Sequence, residues 1–233
     1  MSDKHSHTQF DDDLNHITAR LMEMGGLVEM QVKLANQALR TFSVAHLQSV
    51  FDAEDKVDLF EVDIDRELAA IIVRRQPAAR DLRLLLGISK IAANMERTGD
   101  EANKIAKRVR SIVELGEARE IALGDLHAIF DMAADLIHRA LDAFARMDVV
   151  SALQIYKEDD LINREFKGFT RKLITYMMED PRTVGNSLDL LFIAKAVERI
   201  GDHAKNIAEF IIYIVKGTDV RHSSLAHVES IVT

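Results

Sequence analysis

Glu96-Arg97-Thr98-Gly99-Asp100-Glu101-Ala102-Asn103-Lys104-Ile105-Ala106 returns 102 positions later as Glu198-Arg199-Ile200-Gly201-Asp202-His203-Ala204-Lys205-Asn206-Ile207-Ala208, with seven of eleven residues unchanged. Identity of that density marks an internal duplication, and a duplicated chain must be read as two units before anything else. The surroundings repeat as well. Leu85, Ile88, Ala92, Met95, Gly99, Ala102, Ala106, Val109 and Val113 follow a seven-residue pattern, and the same offset gives Ser187, Leu190, Ala194, Val197, Gly201, Ala204, Ala208, Ile211 and Val215. A narrow stripe of this period is the buried seam of a helix packed nearly antiparallel to its neighbours. The small residues at its middle let another backbone approach.

Outward from this pair the helices can be laid out. An apolar stripe from Leu14 through Ile17, Leu21, Met24, Val28, Val32, Ala35 and Leu39 to Phe42 predicts a first helix over Phe10 to Phe42. A second runs from Ala45 to Gln76 and stops before Pro77, because the residue ahead of a proline disfavours helical geometry. The third covers Ala78 to Leu115. A weak stretch from Gly116 to Gly124 separates the halves. The second half then gives helices over Ala122 to Met147, Val149 to Glu179 and Thr183 to Lys216, with Pro181 in the last break. The tail after Gly217 shows no period, and Met1 to His7 reads as a loose polar tail. The expected fold is all-α: six long antiparallel helices in two tandem three-helix bundles, residues 1–118 and 119–233.

Composition agrees. Two prolines and ten glycines in 233 residues suit long helices. No cysteine is present, which excludes disulfides and thiolate metal sites and points to a reducing cytoplasm. No cationic and apolar leader opens the chain, and no apolar run approaches the ~18 residues of a membrane span. A net charge of −8 argues against nucleic acid as a main partner. One local basic stretch, Lys104, Lys107, Arg108 and Arg110, reads as a solvated helix face.

The second helix carries acids where its seam should be apolar. The slots fall at Leu47, Val50, Glu54, Val57, Glu61, Ile64, Leu68 and Ile71; in the matching helix they are Ala152, Ile155, Asp159, Ile162, Phe166, Phe169, Leu173 and Tyr176. A buried carboxylate must be protonated, paired or bound to a metal. Glu54 with Asp58, and Glu96 with Asp100, stand four apart on one helix face; Asp159 with Asn163, and Glu198 with Asp202, are their repeats. Glu61 is the weaker member, since its counterpart is Phe166. Four oxygen donors per bundle suit a hard cation. The competing reading is a salt-bridge network through Arg97, Arg199, Lys56 and Lys104. The histidines read as surface or helix-end residues. No duplicated Glu-x-x-His appears, which counts against a di-iron oxidase. Phosphate loops, nucleophile elbows and triads are absent too, so nothing points to an enzyme, and nothing resembles a backbone nest for an anion.

Several pieces together resemble the PhoU family: Met24-Gly25-Gly26-Leu27-Val28-Glu29, Arg74-Arg75-Gln76-Pro77, Asp81-Leu82-Arg83, Glu96-Arg97-Thr98-Gly99-Asp100, Ala143-Phe144-Ala145-Arg146-Met147-Asp148, Tyr176-Met177-Met178-Glu179-Asp180, Glu198-Arg199-Ile200-Gly201-Asp202 and Val215-Lys216-Gly217. The resemblance covers nearly the whole chain. It implies two three-helix bundles and a cytoplasmic, homodimeric, non-enzymatic regulator. Such a protein restrains phosphate uptake and the phosphate-starvation regulon when phosphate is plentiful. It does so by linking the ATPase of the phosphate ABC transporter to a phosphate-sensing histidine kinase. It further implies iron, zinc, manganese or another divalent metal on the paired acids, which map here to Glu54, Asp58, Glu96, Asp100, Asp159, Asn163, Glu198 and Asp202. Asn163 departs from that pattern and weakens the second site. Two alternatives stand beside this reading: a carboxylate-bridged di-metal enzyme, and a metal-free helical adaptor.

Overall fold

The computed structural model describes residues 2–115 and 123–233. Among them are seven α-helices and no strand: α1 (Ser2–Thr41), α2 (Val44–Arg75), α3 (Ala79–Leu115), α4 (Gly124–Arg146), α5 (Val149–Glu179), α6 (Val184–Lys216) and α7 (Leu225–Val232), with a 3-10 turn at Pro181–Thr183 before α6. The expected helices are all present with ends shifted by no more than two residues, except at the two extremities. The stretch read as a loose N-terminal tail is helical from Ser2 onward, as an extension of α1. The C-terminal tail, read as structureless, forms α7, opened by Ser224, whose side chain accepts from the His227 amide. Eight residues are too few to show a period, so its cap was the only available signal. The expected boundary at 118/119 and the expected start of α4 at Ala122 lie outside the described residues.

Local chemistry explains the joints. Gln76, ahead of Pro77, closes α2 in the left-handed region with φ 48°. Asp148 caps α5 by accepting from the amides of Val150 and Ser151. Asp180 caps the turn that carries Pro181, and Gly217 ends α6 at φ 77°, a conformation that costs glycine little.

α1, α2 and α3 pack on one another as the first bundle, and α4, α5 and α6 as the second. The most extensive contact of any pair, however, joins the bundles: α3 against α6. Besides the seam read from the sequence, α3 buries a second row at Ile91, Asn94, Thr98, Glu101, Ile105 and Ile112. α6 buries the matching row at Ile193, Ala196, Ile200, His203, Ile207 and Ile214. The two helices run antiparallel. A Cβ on Gly87 would fall 2.4 Å from Ile214, Asn94 Oδ1 lies 3.3 Å from His203 Nδ1, Arg199 reaches Glu101 at 3.2 Å, and Arg108 reaches Asp189 at 3.1 Å. A second seam, also antiparallel, joins α1 to α4, where His138 meets Glu29 at 2.8 Å and Arg40 meets Asp131 at 2.7 Å. His203 is therefore a buried interface residue, only 6% exposed, rather than a surface histidine. The stripes of α3 and α6 are wide, not narrow: each helix has one apolar row for its own bundle and one for the other. No described helix is long and apolar enough to cross a membrane.

Candidate functional site: two acidic sets that diverged

α2 and α3 bring Glu54, Asp58, Glu96 and Asp100 to one place, as the four-residue spacing required, and Glu61 joins them one turn along. Glu54 and Glu96 are half-buried, Asp58 is exposed, and Asp100 is partly open to solvent. Gln31, fully buried on α1, donates from Nε2 to Glu54 at 2.6 Å and to the Val50 carbonyl at 3.2 Å. Gly99 makes room for this amide: a Cβ there would stand 2.8 Å from Gln31 Oε1. That oxygen is itself buried with no hydrogen-bond partner.

The charge of this first set is only weakly relieved. None of Glu54, Asp58, Glu61 and Glu96 has a lysine or arginine within ion-pair distance among the described residues, and Asp100 touches only Lys104, at 3.5 Å. Of the cations named in advance, Arg97 acts on Glu61 only at a distance, and two others turn mainly to another acid. Arg199 pairs with Glu101, and Lys104 leans more closely on Glu101, at 3.0 Å, than on Asp100. The consequence appears in protonation. Burial, then the charges of Asp100, Glu61, Asp58 and Glu54, push Glu96 up to about 7. Burial likewise raises Glu54, with Gln31 and Asn103 steadying its charged form and Asp100 opposing it. Asp58 is raised by burial and by Asp100, and Glu61 by burial, Asp65 and Asp58. Five like charges share one half-open surface, the situation that holds protons or attracts a cation.

The second set occupies the repeat positions with different chemistry. Asp159 is buried, and its Oδ2 accepts from Lys205 Nζ at 3.1 Å and from Asn163 Nδ2 at 3.2 Å. Glu198, 7% exposed, accepts from Lys195 at 2.6 Å. Neither lysine has a counterpart in the first half, where Ala93 and Asn103 stand at the matching positions. The ammonium of Lys195 also lies 5.5 Å from the centroid of Phe166, the residue that replaces Glu61, and that of Lys205 lies 4.8 Å from the Tyr156 ring. A ring face attracts a cation, so each lysine is held from two sides. Burial and the neighbouring Glu198 and Asp159 raise Asp202 to about 6, with Lys195 and Lys205 opposing. The salt-bridge alternative thus describes the second set, through lysines that were not singled out, and reaches only Asp100 of the first, through Lys104.

The residues of both sets converge as the repeat required. Among the described residues, no three His, Cys, Asp or Glu side chains close on one point tightly enough to hold a metal ion. What the sequence reading missed is the pair Lys195 and Lys205. The signal was present: a cation at a repeat position whose partner is neutral.

Comparison with known proteins adds an independent line. The family model described as the PhoU domain matches twice, over residues 21–109 and 126–211, one match per bundle. A Burkholderia relative called phosphate-specific transport system accessory protein PhoU homolog is 50% identical over 225 residues, covering 96% of each chain. The Escherichia coli protein, called phosphate-specific transport system accessory protein PhoU, is 42% identical over 219 residues, 94% of this chain and 90% of that one. The crystal structure of PhoU from Pseudomonas aeruginosa superposes with a TM-score of 0.87 at 42% identity, covering 90% of this chain and 100% of that one.

Proposed function

The chain belongs to the PhoU family, and on that footing we propose that it is an accessory protein of a phosphate-specific transport system that regulates phosphate uptake. The observation that carries this reading is the near-full-length likeness to relatives so named, with no large insertion left to host another activity. The regulation is negative: with phosphate plentiful, the protein restrains the transporter and keeps the starvation regulon silent. It acts from the cytoplasm as a homodimer, touching the ATPase of the phosphate ABC transporter and a phosphate-sensing histidine kinase. A rigid double bundle suits that task, because its two halves are locked through α3 and α6 and offer broad helical faces. Transmission by contact, rather than catalysis, is the role consistent with the names of its relatives. In a host deleted for its own family member, starvation genes should be active in phosphate-rich medium, and expression of this chain should silence them. Persistent activity with the folded protein present would refute the assignment.

The acidic sets refine the reading. The first set has the donors for a hard divalent or ferric ion: they are all oxygen, only Asp100 has a cation within ion-pair distance among the described residues, and burial and the crowded acids push Glu96 up to about 7. Glu54, Asp58, Glu96 and Asp100, with Glu61 beside them, would hold iron, manganese or zinc, and the ion would tie α2 to α3 and neutralise the set. In the second set, Asp159, Asn163, Glu198 and Asp202 already contain two ammonium groups. Lys195 and Lys205 stand in for the metal charge, so this half is neutralised by its own side chains and takes no ion.

A further inference from the structure

The basic stretch of α3 is exposed, but it does not stand alone: it forms one wall of an open cleft whose other wall is α6. Lys104, Lys107 and Arg108 of α3 meet Phe192, Lys195 and Arg199 of α6 around a cleft of about 380 Å³ where the two bundles join. Its floor is Glu101, with a side chain 3% exposed, which accepts from Lys104 at 3.0 Å and from Arg199 at 3.2 Å. Glu101 thus holds one cation from each bundle in place. Five cations line the cleft against this single carboxylate; Asp100, Glu198 and Asp189 touch one of the cations each from the rim. In a chain of net charge −8, such an accumulation of positive charge is local and specific. Phe192 is 50% exposed at the edge, with the Arg108 guanidinium 4.5 Å from its ring centroid.

From this arrangement we infer that the α3–α6 cleft binds a small anion bearing two or more linked phosphate groups. Two guanidinium forks and three ammonium groups match phosphate oxygens, the forks by paired hydrogen bonds and the ammoniums as point charges. The volume lies at the lower end of the range for small-molecule sites, roughly 300–1,000 Å³, and exceeds what one inorganic phosphate would fill. The concave shape and the acidic remainder of the surface disfavour a nucleic-acid strand, which needs an extended basic track. The positive potential reaches the neighbouring interior: buried His203 is held neutral down to about 4, first by burial and then by Arg199, Arg97 and Lys104. Because the ligand would touch both bundles, its binding would clamp α3 to α6. The inference does not rest on the phosphate-uptake reading or on a bound metal: the cleft lies beside the two acidic sets and meets them only at the Lys104–Asp100 and Lys195–Glu198 pairs.

Such a ligand has two sources, a nucleoside polyphosphate and an inorganic polyphosphate, and Phe192 distinguishes them. Calorimetric titration of the full chain with ATP, tripolyphosphate and inorganic phosphate is the test. Saturable binding of ATP or tripolyphosphate, at least about tenfold tighter than inorganic phosphate and weakening with added salt, is expected. Lys107→Glu should weaken it by about tenfold or more at unchanged melting temperature, since Lys107 has no ion pair among the described residues. Arg199→Gln, which leaves Glu101 paired with Lys104, should do the same. If Phe192→Ala weakens ATP alone, the source is a nucleotide; if it weakens neither ligand, the site takes the bare phosphate chain. Absence of saturable binding, or equal affinity in the Lys107 and Arg199 variants, would overturn the inference. So would binding of a poly-glutamate peptide in place of both phosphate ligands, which would make the cleft a dock for an acidic protein segment.

Discussion

Replacing Lys205 with methionine tests whether the second acidic set is neutralised from within. The substitution keeps most of the aliphatic stem and removes only the ammonium. Asp159, whose side chain is 2% exposed, then loses its 3.1 Å ion pair and retains Asn163 as its one donor. Breaking a buried pair costs about 3–5 kcal/mol. Lys205 is 27% exposed, so water can partly replace it. About 3 kcal/mol is the reasonable figure, or a fall of roughly 6–12 °C in Tm for a chain of this length. The pH dependence gives the sharper test. Asp159 is raised by burial and Asp202 stands at about 6 with Lys205 still present. Acids raised in the folded state hold their protons more firmly there than in the unfolded chain, so lowering the pH through their folded values favours folding. The variant should recover part of its deficit as the pH is lowered from about 7.5 to about 5, through the range where Asp202 takes up its proton and in the direction that burial favours for Asp159, and Asp159→Asn added to it should restore Tm at the higher pH. Thermal melts at the two pH values decide the matter. An unchanged Tm at pH 7.5, or an equal loss at both, would mean that Lys205 contributes only its stem packed on Tyr156.

Three further outcomes follow from the same geometry. Glu96, raised from 4.5 to about 7, makes stability fall as the pH rises from about 4.5 to about 7, where the unfolded chain has lost the proton and the folded one still holds it; Glu96→Gln should flatten the fall in Tm across that window and leave the variant more stable than the parent above it. Elemental analysis of protein prepared without chelator or tag-derived metal should find metal that disappears in Glu96→Ala and survives in Glu198→Ala; loss in both variants, or in Glu198→Ala alone, would sink the asymmetric reading. Asn94, 6% exposed, accepts from Asn206 Nδ2 at 3.0 Å and meets His203 across the bundle interface. Asn94→Ala should cost about 1–3 kcal/mol by orphaning those groups, read in a denaturant melt, and a neutral result would show that water satisfies them.

The fold was legible because long helices leave an unambiguous period and the duplication supplied a second reading of every seam. The acids at Glu54 and Asp159 were legible because charge in an apolar slot breaks the period, and Glu96 and Glu198 because the duplicated stretch repeats them four residues ahead of Asp100 and Asp202. The wide stripes of α3 and α6 were harder to see. Their second row contains Asn94, Thr98, Glu101 and His203, and polar residues look like surface until a partner helix covers them. Hydrogen bonds made after burial keep them inside, and no single helix records those. The cleft at Lys104 and Arg199 was hidden likewise. The basic stretch of α3 alone is indistinguishable from a solvated face, and its meaning depends on which residues of α6 lie opposite. Lys195 and Lys205 were the avoidable omission, because the matching Ala93 and Asn103 already marked them as charge gained by one half.

Duplication explains why these features occur together. Two identical bundles with one outward apolar row each would bury those rows on one another, as α3 and α6 do, and the product is a single body with a local two-fold relation. Once fused, the copies are free to differ, provided each keeps its interior neutral. The halves differ in one direction at four positions in or beside the acidic sets: Asp58 corresponds to Asn163, Glu61 to Phe166, and neutral Ala93 and Asn103 to Lys195 and Lys205. Each change lowers negative charge, and together they turn an open acidic surface into a closed, internally paired one. The first half kept its acids and their unfavourable crowding, with Glu96 driven to about 7. A chain selected for stability alone had the remedy available in its own second half. That it retains five crowded carboxylates on α2 and α3, only Asp100 of them with a cation within ion-pair distance among the described residues, is the physical argument that the first set, and not the second, is the one whose charge is used.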